Sequence, residues 1–232
     1  MKGYFLVADL LGFKKLVENL SHSELVPRVG NWVSMVNQEA ISCSVPRHQL
    51  ISDTLFAGAD DTIQGLRTLI TFGRSLLEKG VAQSLPLRGA ITFGSYEWGA
   101  LTYGEAVVTA QSLEQLQDWI GIACSNELPR VDEVWGSDSV ICYPAPLKRG
   151  AIQLRPVVAW EVPHFADLAR MLSGSNLTKQ GEVLTWEWAD KLSRTIEFGL
   201  YRRWLKKEKQ TGNVFYGLLP IQVIETLLHE NE

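Results

Sequence analysis

The chain has no excess of positive charge, no paired cysteines and no long apolar run. Across 232 residues, 22 Lys and Arg face 26 Asp and Glu, a formal net charge of −4. No global basic field therefore draws in a polyanion, and nucleic acid is not the expected ligand; a local cationic pocket for a small polyphosphate is still compatible with this balance. The three cysteines, Cys43, Cys124 and Cys142, make no CxxC pair, and an odd count argues against a disulfide framework. A reducing, cytoplasmic setting is the expectation. His22, His48, His164 and His229 stand isolated, without metal-ligand spacing. The first residues hold too short an apolar stretch for a signal peptide, and nothing approaches a membrane span. Internal repeats and low-complexity segments are absent. What is abundant is apolar surface: 46% of residues are hydrophobic, enough for one large domain or one domain with a substantial appendage.

Local patterns predict an α/β fold. The run from Tyr4 to Asp9 reads as a buried strand, Leu10 to Phe13 as a turn, and Lys14 to Leu20 as a short helix. Leu25, Val29, Trp32, Val33, Val36 and Ala40 recur at helical spacing after Ser23. Residues 48–58 read as two strands joined tightly at Asp53-Thr54. Helices are expected over Thr62 to Leu77 and Glu105 to Leu116, with strands at Pro86 to Thr92 and Trp119 to Cys124. This β-α-α-β-β-α-β-α-β order implies a central sheet. Past about residue 130 the texture changes. Prolines and glycines punctuate it, Pro156 and Pro163 flank an expected strand at 157–162, and a long helix is expected over Gly181 to Lys209. The expected division is a core at 1–130 and a smaller, Trp-rich α/β extension at 131–232, packed on the core or on a dimer interface.

Two carboxylates and one arginine carry the chemistry. Asp9 ends one apolar strand and Asp53 follows another. An acid at the tip of a buried strand is costly unless a cation meets it. Each alone reads as a turn residue; two on strands able to pair side by side would share one cation site. A divalent ion between them would neutralise both and polarise a phosphate. The turn Leu10-Leu11-Gly12-Phe13 entering a helix offers backbone N–H groups to phosphate oxygens, with Gly12 allowing close approach. Arg88, inside the apolar strand Pro86 to Thr92, is either an edge residue with its guanidinium in water or a bidentate phosphate partner. The basic stretch Arg202 to Lys207 reads as a solvated helix end, with a supporting role toward a triphosphate as the lesser alternative.

In this order, these segments resemble the class III nucleotidyl cyclase catalytic domain over roughly Tyr4 to Ser125. Val7-Ala8-Asp9-Leu10-Leu11-Gly12-Phe13 is similar to its first metal motif and Ile51-Ser52-Asp53 to its second. Pro86 to Ile91 is similar to the strand carrying its phosphate-binding arginine, and Tyr103 to Ala110 to the helix that follows. The resemblance implies a ferredoxin-like core, a head-to-tail homodimer and an active site at the subunit interface. It also implies two divalent metals per site, Mn2+ or Mg2+, on Asp9 and Asp53 with the Leu10 carbonyl. Leu11, Gly12 and Phe13 would hold phosphates through backbone N–H groups, and Arg88 would neutralise the leaving group.

The departures from that family fall on its base-reading half. Gln49 stands where purine cyclases carry an adenine-reading lysine, and Leu101 replaces that lysine's polar partner. Val108 replaces a ribose-orienting asparagine, and Ser112 a transition-state arginine. Length, Ser52-Asp53-Thr54 and the Trp-rich tail resemble the pyrimidine cyclases of the Pycsar antiphage system. That group implies conversion of UTP, or in some members CTP, to a 3′,5′-cyclic nucleotide, with uridylate cyclase the favoured expectation. It also implies a separate effector that the cyclic nucleotide activates. Val7, Gln49, Ile51 and Leu101 of the partner subunit are the expected base pocket. A divergent adenylyl cyclase and an inactive, nucleotide-binding pseudocyclase stand as alternatives.

Overall fold

A computed structural model describes residues 1–136, 138–173 and 186–210. Seven strands form one sheet: β1 (Lys2–Leu10), β2 (Arg47–Ile51), β3 (Thr54–Asp60), β4 (Leu87–Ser95), β5 (Gly121–Cys124), β6 (Val140–Pro146) and β7 (Ile152–Val158), in the order β2-β3-β1-β4-β5-β7-β6. Among the described residues the α-helices are α1 (Phe13–Asn19), α2 (His22–Ser42), α3 (Ile63–Ala82), α4 (Glu105–Leu116), α5 (Phe165–Ser173) and α6 (Trp186–Gln210). The β4-β1-β3-β2 part is antiparallel throughout, the ferredoxin-like arrangement expected from sequence, and β5 then adds parallel to β4. That parallel step needs a crossover, which α4 supplies.

Strand β1 is apolar on both faces because it is covered on both. Tyr4, Leu6, Ala8 and Leu10 enter the main core, together with Trp32, Met35 and Val36 of α2 and Leu66, Leu69, Phe72 and Leu76 of α3. Phe5 and Val7 point the other way, into a second cluster with Phe56, Tyr96 and the α4 residues Ala106, Val107 and Ala110. The two-residue period continues this second row to Asp9. Helix α2 begins at a capping box, Ser21 with Glu24, not at Ser23. Helix α3 starts at Thr62, whose side chain accepts the Gly65 N–H.

Beyond β5 the sheet continues. β7 pairs with β5 at Ala123↔Val157 and with β6 along its length, so strands on both sides of residue 130 share one sheet and one apolar core. β6 was not anticipated, and the strand expected at 157–162 is shifted to Ile152–Val158 with Pro156 inside it. β6 is the sheet's edge, where prolines cost no ladder bond. Helix α6 covers this end of the sheet. Phe198 meets Trp119 at 4.9 Å and Tyr143 at 5.0 Å between ring centroids, and Tyr201 donates to the Cys142 carbonyl at 3.0 Å. The expected start of this helix, Gly181 to Leu184, lies outside the described residues. Among the described residues, no helix is long and apolar enough to cross a membrane.

Candidate active site

The register of the sheet brings the predicted acids together. Asp9 on β1 faces Thr54 on β3 and Arg88 on β4 as Cα partners. Asp53 immediately precedes Thr54, in the two-residue turn Ser52-Asp53 that joins β2 to β3. Ser52 takes φ 59° there, in the left-handed region that such tight hairpins demand. Thr54 Oγ1 donates to Asp9 Oδ1 at 3.0 Å, and an Arg88 guanidinium nitrogen lies 4.0 Å from Asp9 Oδ2. Burial pushes the Asp9 carboxyl up to about 6; the negative charges of Asp53 and Glu114 push the same way, against the Thr54 hydrogen bond and the Arg88 charge. The two acids are thus close enough to repel, which a shared cation would relieve.

Arg88 is not an edge residue with its guanidinium in water. Its guanidinium is mostly buried, and Nε donates to Glu114 Oε1 of α4 while another nitrogen donates to the Gln117 carbonyl at 3.2 Å. Glu114 is itself buried. Arg88 is therefore a structural ion-pair partner that also borders Asp9. Sequence reasoning missed Glu114, although a signal was present: Ala106, Ala110 and Glu114 form one buried row at helical spacing, with a carboxylate where an apolar residue belongs.

The turn after Asp9 is partly spoken for. The Leu11 N–H donates to the Pro86 carbonyl at 2.9 Å, so the expected phosphate contact from that N–H is corrected: it holds the turn against β4. Gly12 caps α1 in the left-handed conformation, φ 82°, which a side chain would strain. Phe13 opens α1 and packs against the main core. The basic stretch on α6 is also committed. Arg202 pairs with Asp138 at 2.8 Å and Glu161 at 2.6 Å, Lys206 joins the same two acids, and Arg203 reaches the Val162 carbonyl at 3.5 Å.

Of the expected base-pocket residues, Val7 and Gln49 lie one row along the same sheet face, Ile51 lies in the Asp9 row itself and Leu101 in a loop. Val7, Phe56 and Gln49 align across β1, β3 and β2, beside the row Arg88, Asp9, Thr54 and Ile51. Val7 is 1% exposed beneath α4 and forms the floor of this face, leaving it no side chain to present to a base without movement. Gln49 Oε1 accepts from Thr102 Oγ1 at 3.5 Å, which sets Gln49 beside the loop carrying Leu101. Ile51 and Leu101 are 52% and 73% exposed. On the outward face of α4, Val108 and Ser112 are both exposed.

The donor set suits a hard divalent cation. Asp9 and Asp53 supply carboxylate oxygens, and the Leu10 carbonyl belongs to the same strand end. Among the described residues no group of three or more His, Cys, Asp or Glu could hold a metal. Mg2+ and its relatives characteristically use one or two carboxylates, completing their shell with water and substrate phosphates.

No protein-family model matches the chain, and no curated protein matches it. Solved structures do. The adenylyl cyclase CyaB from P. aeruginosa superposes with a TM-score of 0.53 at 17% identity, over 70% of this chain and 95% of that one. The guanylate cyclase domain of RhGC from Catenaria anguillulae, in complex with GTP, gives 0.54 at 14% identity, over 68% and 96%. A bacterial light-regulated adenylyl cyclase gives 0.51 at 16% identity, over 75% and 97%. At these identities the shared property is the fold: this α/β chain has the class III cyclase fold.

Proposed function

We propose that the chain is a nucleotide cyclase that converts a pyrimidine nucleoside triphosphate, UTP in preference to CTP, to its 3′,5′-cyclic monophosphate and pyrophosphate. The observation that carries this reading is the meeting of Asp9 and Asp53 at adjoining strand ends, within a fold shared with cyclase domains. Asp9, Asp53 and the Leu10 carbonyl would hold divalent metal, Mn2+ or Mg2+, which supplies Lewis-acid chemistry and a lowered pKa for the ribose 3′-hydroxyl. The chain's own part is positional. Gly12 lets the turn approach the phosphates closely, and Phe13 anchors it to the core. Arg88, fixed by Glu114, places a guanidinium beside Asp9 to offset charge gathering on the departing pyrophosphate. The 3′-oxygen attacks the α-phosphorus in line, the bond to the bridging oxygen breaks, and pyrophosphate leaves.

Base choice rests on Gln49 and Leu101. An amide donates and accepts, matching a pyrimidine edge that presents both a carbonyl and an N–H. Leu101 cannot accept from the adenine amino group, and an unpaired donor in a dry pocket costs roughly 1–3 kcal/mol, on the order of ten- to a hundredfold in selectivity. Competition among the four NTPs at equal concentration, with Mn2+ and mass identification of the product, is expected to give mainly cyclic UMP. A product dominated by cyclic AMP would replace this reading with a divergent adenylyl cyclase; nucleotide binding without any product would replace it with a pseudocyclase. The cyclic nucleotide would serve as a second messenger in antiphage defence, read by a separate effector that the cyclase does not itself bind.

The reading includes a homodimer with its site at the subunit interface. Ile51, Leu101, Tyr103 and Val108 are 52%, 73%, 56% and 63% exposed, an apolar surface of the kind that marks an interaction face. Val108→Asp is expected to leave the monomer folded, shift sedimentation from dimer to monomer and remove most activity. A fully active monomer would refute the shared site.

A further inference from the structure

Arg155 is a buried cation without an anion. It sits on β7 opposite Tyr143 of β6 and is 5% exposed. One terminal nitrogen, Nη2, donates to the Gln153 side-chain oxygen, whereas the buried Nε N–H has no acceptor. Among the described residues no carboxylate pairs with it. Cys124 is the one titratable group that acts on its charge, and burial pushes that thiol up to about 12, so it is neutral at physiological pH. Arg88 and Arg202, by contrast, each hold a carboxylate. A guanidinium cannot shed its proton to escape the cost of burial, so its fork of donors calls for an acceptor that carries negative charge.

The setting admits something small. Gln153 is two residues earlier on the same strand, hence on the same face. It is exposed, and its uncharged amide caps the guanidinium. The amide oxygen stands where an anionic oxygen would lie. Asn126, in the loop after β5, donates to the Leu154 carbonyl at 3.4 Å alongside. Nε and Nη2 form the side-on edge of the guanidinium, whose two parallel N–H groups match the two oxygens of a carboxylate. The position is apart from the Asp9 site. Arg88 faces Gly121 of β5, while Val157, two residues past Arg155 on an antiparallel strand, faces Ala123. Arg155 therefore lies four residues beyond the Arg88 level, about 13 Å along the strand direction.

We propose that Arg155 binds a small carboxylate-type anion, which takes the place of the Gln153 amide oxygen. The site goes beyond the cyclase reading and does not rest on it. Its occupant is a free monoanion and not an acidic side chain of another polypeptide, because the guanidinium lies beneath a single glutamine side chain and is 5% exposed, which leaves a polypeptide no surface to bury there. One cation matches one negative charge. Two charge-assisted hydrogen bonds correspond to a dissociation constant on the order of 1 mM.

The test compares thermal melts of the full chain in sodium acetate and in sodium chloride at equal ionic strength. In parallel, NMR follows the Arg155 Nε–H resonance, identified by its loss in Arg155→Met, through an acetate titration. Wild type is expected to show a saturable shift of that resonance and, at about 100 mM acetate, a melting temperature roughly 5–10 °C above that in chloride. Arg155→Met is expected to melt at or above wild type in chloride and to lose the acetate response. Gln153→Glu supplies the missing carboxylate from within the chain; it is expected to melt above wild type in chloride and likewise to lose the response. An Nε–H resonance that acetate does not move, or an acetate response kept in Arg155→Met, overturns the proposal. So does a Gln153→Glu protein that melts below wild type. Stability in chloride that rises with protein concentration in wild type but not in Arg155→Met would give the place to a carboxylate of a second copy, and overturns it too. None of these readouts depends on cyclisation.

Discussion

Asp9→Asn is expected to abolish cyclisation and, in the same protein, to raise the melting temperature at pH 7.5. The first effect follows from removing a carboxylate whose transition-state contribution through metal is several kcal/mol, on the order of a thousandfold or more in rate. The second follows from the site's own repulsion. The folded-state pKa of Asp9 is raised to about 6 by burial and by Asp53 and Glu114. A group whose folded pKa lies above its unfolded value contributes stability that is fully present below about pH 4, and that is lost as pH rises through the folded pKa. At neutral pH the ionised Asp9 therefore costs the metal-free fold up to about 3 kcal/mol. Asparagine removes this cost and still presents an oxygen to Thr54 Oγ1. The gap between variant and wild type is expected to be small at pH 4, to open between pH 4 and 7, and to amount to several degrees at about 2–4 °C per kcal/mol. Mn2+ is expected to raise the wild-type melting temperature and close the gap. Thermal melts across pH, with and without Mn2+, check this; a variant less stable than wild type at pH 7.5 would contradict it.

Arg88→Ala is expected to destabilise the fold by about 3–5 kcal/mol, because it leaves the buried Glu114 carboxylate unpaired next to Asp9. Lost activity in that variant would therefore say little about phosphate contact. The double variant Arg88→Met, Glu114→Leu replaces the ion pair by apolar volume and is expected to recover most of the stability. Activity that stays low in the recovered fold assigns Arg88 a contact with the nucleotide; activity that returns assigns it a structural role only. Urea unfolding of wild type, both single variants and the double variant measures the coupling. A loss under about 1 kcal/mol for Arg88→Ala would contradict a buried pair of this kind.

Much of the core was legible because its signals are local. The apolar run at β1, the helical spacing in α2 and α3, and the two joined strands within 48–58 all report on near neighbours, and the structure has each of them, with the joint at Ser52-Asp53, one residue before the expected Asp53-Thr54. The nearness of Asp9 to Asp53 was also legible, since an acid at the end of each of two strands that pair brings the acids together. Partners chosen across the fold were hidden. The Arg88–Glu114 pair exists only because α4 lies across β4, and the Leu11 N–H is taken by Pro86, which is 75 residues away in the chain. β6 was hidden for a different reason. Pro144 and Pro146 read as loop punctuation, yet at a sheet edge a missing N–H is not missed, and Pro156 in β7 faces Cys142 of that edge strand. The Lys191–Asp118 pair gave no sequence signal either, because it depends on how α6 packs through Trp188 and Leu192.

The central claim is that Asp9 and Asp53 serve a cyclisation and not another phosphoryl reaction. The most direct measurement incubates wild type and Asp53→Asn with UTP and Mn2+, quenches with EDTA, and quantifies every nucleotide and phosphate product by mass spectrometry and ion chromatography. The account predicts 3′,5′-cyclic UMP and pyrophosphate in equal amounts from wild type and neither from the variant. Orthophosphate with UDP, or equal product from Asp53→Asn, would contradict it.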